Sequence, residues 1–112
     1  MIKVVNKHWH RGAGIYIGRP SIFGNPFSHL DGTIAQFKVA TREESIEKYK
    51  VWFDDKMLND VNFNNEFEKL YQGWKKDGSL FLVCWCKPHA CHGDYILEKL
   101  KAYDLIVGTS FD

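Results

Sequence analysis

The residues best equipped for chemistry gather in one stretch, Cys84-Trp85-Cys86-Lys87-Pro88-His89-Ala90-Cys91-His92-Gly93-Asp94. It holds all 3 cysteines and two of the 5 histidines. The run before it, Ser79 to Cys86, alternates Leu80, Leu82, Cys84 and Cys86 with Phe81, Val83 and Trp85. It reads as a strand that is apolar on both faces, so it belongs in the middle of a sheet. Cys84 and Cys86 are two apart and share a strand face. Cys91 and His92 fall where a helix begins. Free backbone N–H groups there favour an anion and lower the pKa of a thiol. Gly93 lets a ligand approach the backbone.

Three chemistries fit this turn. Cys84, Cys86, Cys91 and His92 offer three sulfurs and a nitrogen, a zinc set, although Cys-x-Cys is tighter than common zinc spacings. Alternatively, Cys91, His92 and Asp94 line a ligand or catalytic pocket, with His92 or Asp94 as acid/base. In the third reading the cysteines are small buried hydrophobes and the histidine a cap. A cysteine phosphatase or sulfurtransferase ranks low, because no arginine closes the loop after Cys91.

A second segment, Gly18-Arg19-Pro20-Ser21-Ile22-Phe23-Gly24-Asn25-Pro26-Phe27, is stiffened by Pro20 and Pro26. Arg11, Arg19 and Arg42 are the only arginines, and the planar guanidinium suits phosphate or carboxylate. Arg19, Ser21, Asn25, Arg11 and Gly93 are therefore the ligand-binding candidates. Residues 1–40 carry five basic side chains against one acid, Asp31. No G-x-G-x-x-G and no P-loop sequence occurs.

The elements that must position these residues follow from pattern. Ile2–Asn6 and Gly14–Gly18 read as strands. Residues 18–33 carry turn residues and no regular element. Thr41 and Glu44 form a capping box, and Ile46, Tyr49, Phe53 and Met57 recur on one helical face. A second helix runs from about Asn64 to Lys76, with Phe67, Leu70, Tyr71 and Trp74 on its apolar face. A third starts near His92, and Leu105–Val107 offers a last short strand or a packed tail. The order is ββααβα with that short strand as an addition. It predicts a small, single α/β domain of three layers, Rossmann-like, spanning residues 1–112. Ligands in such sheets sit beyond the carboxyl ends of the strands.

Composition narrows the function. The 112 residues carry a net charge of +1, so no strong field draws the chain to nucleic acid or to an anionic membrane. No apolar run is long enough to span a bilayer. The start, Met1-Ile2-Lys3-Val4, lacks a signal-peptide core, so a cytoplasmic protein is expected. An odd cysteine count excludes a complete disulfide framework.

Taken together, Val4-Val5-Asn6, Ile15-Tyr16-Ile17-Gly18-Arg19-Pro20-Ser21, Gly24-Asn25-Pro26-Phe27, Thr41-Arg42-Glu43-Glu44, Cys84-Trp85-Cys86, Pro88 and Cys91-His92-Gly93-Asp94 resemble DUF4326. This is an uncharacterised family common in phages and bacteria. The resemblance implies a small, often phage-encoded protein of the host cytoplasm. A weaker likeness is to another uncharacterised group that ends a strand with Leu-x-Cys-x-Glu and opens a helix with Cys-His-Arg. Here Cys86 replaces the glutamate and Gly93 the arginine. Both groups resemble Rossmann-like domains that bind nucleotides or cleave N-glycosidic bonds. The expectation is a nucleotide-like or other phosphate-bearing ligand, bound and in some versions hydrolysed or transferred. The alternative is a zinc-stabilised domain that contacts a host protein through aromatics around Trp52 and Trp74.

Overall fold

The computed structural model describes residues 1–30 and 35–108; Asp31 lies outside the described residues. β1 (Ile2–Asn6), β2 (Ile15–Tyr16) and β5 (Leu80–Cys84) form a parallel sheet in the order β1-β5-β2. Ile2 pairs with Leu80, Val4 with Leu82 and Asn6 with Cys84. The doubly apolar strand is therefore the central one, as its pattern requires. β3 (Phe27–Ser28) and β4 (Phe37–Lys38) make a separate two-stranded parallel ladder. The expectation of no regular element in 18–33 missed β3. Phe27 stacks on Phe37 there, with ring centroids 5.3 Å apart.

α1 (Arg42–Asn59) begins at the expected Thr41 cap, but Glu44 reaches back one residue further than a capping box requires, to Ala40 rather than Thr41. Thr41 Oγ1 accepts from Glu44 N at 3.0 Å, and the Glu44 carboxylate accepts from Ala40 N at 3.1 Å. α2 (Val61–Asp77) follows after one residue. Asp60 closes α1 through its backbone N–H and caps α2 through its side chain, which accepts from Phe63 N. Gly78, at φ 77°, ends α2 in the left-handed region. α3 (His92–Val107) runs straight through Leu105–Val107, so that segment is neither the short strand nor the packed tail that its pattern offered but the end of the helix. Near that end, Asp104 accepts from Tyr71 Oη at 2.8 Å and pairs with Lys75.

The α/β class holds, with parallel strands; the order is ββββααβα, the two short strands β3 and β4 adding to the expected ββααβα. Ile2, Val4, Leu80, Leu82 and Cys84 point to one sheet face and share one core with Tyr49 and Phe53 of α1, Phe63 and Phe67 of α2, and Ile96 and Leu100 of α3. The opposite face, with Lys3 exposed and Val5 and Phe81 half-buried, is met by the loop after β1, where the His10 ring lies 4.8 Å from Phe81. Trp52 and Trp74 are partly buried and pack against the core. The largest exposed aromatic surfaces among the described residues are Trp9 and Trp85.

Candidate functional site

The chain leaves β5 at Cys84 and turns through Trp85–Ala90 into α3. Asn6, at the end of β1, fixes that turn: its amide donates to the carbonyls of Trp85 at 3.1 Å and Lys87 at 2.6 Å. Cys91 is the N-cap of α3. Its sulfur accepts from Gly93 N at 3.4 Å, and its own N–H donates to Asp94 Oδ2 at 3.2 Å. Strand end, turn and cap together bring the sulfurs of Cys84, Cys86 and Cys91 within 4.8 Å of one another. Cys84 and Cys91 are buried, and Cys86 is half-exposed. Three thiols this close can hold a metal.

The cluster shares protons unevenly. Hydrogen bonds from the Cys86 and Cys91 side chains, then from the Cys86 and Lys87 backbone, hold the Cys84 thiol far below the usual range. Donating to Cys84 pushes Cys86 up. Cys91 is pushed up strongly by its hydrogen bonds to Cys84 and Cys86 and by burial.

His92, Gly93 and Asp94 are placed differently from their sequence reading. His92 Nε2 donates to the Ile17 carbonyl at 2.8 Å, which leaves Nδ1 as the acceptor, 3.5 Å from Cys91 Sγ. Burial lowers its pKa, so the ring is neutral at pH 7. Its edge meets the Tyr49 ring at 4.9 Å, and it stands outside the three-sulfur group. Gly93 is buried: a Cβ there would meet Ile17 Cδ1 at 2.6 Å and Val4 Cγ1 at 2.9 Å. It lets α3 pack on the sheet and is not among the residues that line the neighbouring cavity. Asp94 completes the cap and pairs with Lys87.

Beside the thiols lies a cavity of about 280 Å³ at the carboxyl ends of β2 and β5. One wall is Cys84, Cys86, Cys91 and His92; the other carries Arg19, Asn25, Arg42 and Ser45. The two segments singled out in the sequence thus face each other across one space. Two guanidinium groups line it, and among the described residues no carboxylate does. Arg19 Nη1 donates to the Asn25 carbonyl at 2.8 Å, which fixes its position. Arg42 has no hydrogen-bond or ion-pair partner among the described residues and acts electrostatically on Cys86. Asn25 is engaged structurally. Its amide donates to Ser45 Oγ at 2.7 Å and its carbonyl oxygen accepts from Phe27 N at 2.9 Å. Ser21 and Arg11 are not in the lining. Ser21 Oγ is buried with no hydrogen-bond partner among the described residues, and Arg11 donates to the His8 carbonyl in an exposed loop.

The profile of DUF4326, Domain of unknown function, matches residues 3–102. The chain belongs to the DUF4326 family. No similar curated protein and no similar solved structure is found. The DUF4326 match spans the whole cavity lining, from Tyr16 to His92.

Sequence reasoning left three features of this DUF4326 site unassigned. Arg42 was visible as one of three arginines, yet nothing local tied the start of α1 to the cysteines. That link is tertiary: Ser45 Oγ donates to the Phe27 carbonyl at 2.8 Å while accepting from Asn25. Tyr16 was read only as a strand residue. Its hydroxyl donates to the Arg19 carbonyl at 2.9 Å and accepts from Trp85 Nε1 at 3.2 Å, joining the two loops. In the sequence Asn6 reads only as the last residue of a strand, and a polar side chain at a strand end beside a tight turn is the signal that marks it.

Proposed function

We propose that this protein binds a phosphate-bearing small molecule, nucleotide-like in kind, in the cavity between the Arg19–Asn25 loop and the Cys84–His92 turn. One observation carries the reading: among the described residues the cavity wall holds Arg19 and an unpaired Arg42 and no carboxylate. Unpaired guanidinium in a concave site favours a planar or tetrahedral oxyanion through charge-assisted hydrogen bonds. The position at the carboxyl ends of parallel strands is where α/β sheets take ligands. The volume sits at the small end of ligand clefts, which fits a compact ligand. Phe27, Leu30 and Ile46 supply apolar wall for a base or sugar. His92 and Asp94 act as positioning groups, so the reading is one of binding. Free thiols persist in a reducing compartment, which supports a cytoplasmic place of work.

The test is a thermal-shift series in chelator-containing buffer with inorganic phosphate, AMP and adenosine. AMP at about 100 times its Kd should stabilise the fold by about 2.7 kcal/mol, and adenosine should do far less. Arg42→Gln removes charge-assisted hydrogen bonds of about 1.5–3 kcal/mol, so AMP affinity should fall about 10- to 100-fold. Equal shifts for AMP and adenosine, or full affinity in Arg42→Gln, would sink the proposal.

A further inference from the structure

We infer that Cys84, Cys86 and Cys91 form a three-thiolate zinc site whose fourth coordination position opens into the arginine-lined cavity. The inference does not need the anion reading, because the sulfurs alone would hold the ion.

Geometry sets the ligand count at three. Around zinc, with Zn–S near 2.3 Å, tetrahedral sulfurs lie roughly 3.8 Å apart. The three sulfurs already lie within 4.8 Å of one another, so a contraction of up to about 1 Å closes the site. Their backbone is fixed before any ion arrives. Cys84 ends a central strand, Cys91 caps a helix, and Asn6 holds the turn between them by two hydrogen bonds. Gly93 N–H points at the Cys91 sulfur, an outer contact that supports a metal-bound thiolate.

His92 is the obvious fourth ligand by sequence, and the fold directs it elsewhere. Its Nε2 is bonded to the Ile17 carbonyl, its ring is wedged against Tyr49, and the three-sulfur group does not include it. Its Nδ1 faces Cys91 alone, so it orients one ligand from outside the first sphere. All three cysteines line the cavity, so the remaining position faces that space. Three thiolates and a divalent ion leave one negative charge, which Arg19 and Arg42 across the cavity offset. Thiolate ligands select zinc over magnesium or calcium. Three protein ligands with an open position is the arrangement of a zinc that receives an exchangeable ligand, whereas structural zinc is closed by four.

The experiment is titration of the reduced full-length chain with Co²⁺, read by absorbance, followed by azide as a small anionic ligand. The expected result is one Co²⁺ per chain with intense thiolate-to-cobalt charge transfer, and visible bands that shift when azide enters. Cys86→Ser, at the half-exposed ligand, should weaken uptake by more than the ~10- to 100-fold typical of losing an outer-shell partner. Circular dichroism of that variant confirms that it still folds. Charge transfer without any azide response would overturn the open position, leaving a closed structural site. No uptake by the reduced, folded chain would overturn the metal site altogether. AMP binding in chelator is measured separately, so either failure is distinguishable from failure of the anion reading.

Discussion

Gly93 is the residue on which the two readings of the helix start part most sharply. A glycine there suits a phosphate cradle, but the fold gives it a different task. A Cβ at Gly93 would stand 2.6 Å from Ile17 Cδ1 and 2.9 Å from Val4 Cγ1. Ile17 is 0% exposed, so its end methyl has no solvent to swing into. Gly93→Ala must shift α3 or push Ile17 off its rotamer, and overpacking of this kind costs about 1–3 kcal/mol. Alanine's higher helix propensity offsets at most ~1 kcal/mol of that. At about 4–8 °C per kcal/mol for a domain near this size, the melting point should fall by several degrees. The assay is urea unfolding of Gly93→Ala, Ile17→Val and the double variant. Ile17→Val removes the nearest clashing atom, so the double variant should be more stable than the sum of the singles by 0.5 kcal/mol or more. AMP affinity of Gly93→Ala should stay within about threefold of wild type, a change under ~0.7 kcal/mol. A Gly93→Ala variant that is fully stable, additive with Ile17→Val, and unable to bind AMP would refute the packing argument.

Tyr49→Phe should cost about 1–3 kcal/mol in urea unfolding, because the buried Phe23 carbonyl loses the hydroxyl that donates to it at 2.7 Å. Asp94→Ala should cost ~0.5–2 kcal/mol through loss of the α3 cap and leave AMP binding unchanged, since Asp94 does not line the cavity. Asp60 has its pKa lowered chiefly by the Phe63 backbone N–H it caps. Its folded pKa lies below the unfolded value near 3.8, so its stabilisation is present above pH 4 and lost as pH falls through the folded value. Asp60→Asn should therefore flatten the acid limb of a plot of urea midpoint against pH below about pH 4.

Local signals decided which elements were legible. Thr41 and Glu44 carry the start of α1 in their own chemistry, and the double alternation of Leu80–Cys84 marks a central strand without knowledge of its partners. The start of α2 at Val61 was placed too late, because Asp60 serves as the end of one helix and the cap of the next and no glycine or proline punctuates the join. β3 and β4 have two residues each, too few for a period of two to declare itself. Leu105–Val107 looked like strand from its branched residues, yet it continues a helix held near its end by Asp104 contacts to Tyr71 and Lys75.

The site divided in the same way. Cys91 at a helix start follows from spacing; Cys86, expected on the strand face of Cys84, lies instead in the turn beyond the end of β5, and that turn brings the three sulfurs together. Glycine and aspartate at positions two and three of a helix serve packing and capping as readily as ligand binding, so sequence did not separate those roles for Gly93 and Asp94. The opposition of Arg42 to the thiols depends on Asn25, Ser45 and Phe27 locking the start of α1 beside the proline loop. Such a network joins residues about twenty positions apart and leaves no periodic trace.

The most direct measurement is a crystal structure of the chain grown with AMP. The account predicts the phosphate inside the cavity, with oxygens about 2.7–2.9 Å from guanidinium nitrogens of both Arg19 and Arg42. An empty cavity at saturating AMP, or a phosphate seated elsewhere, would contradict it.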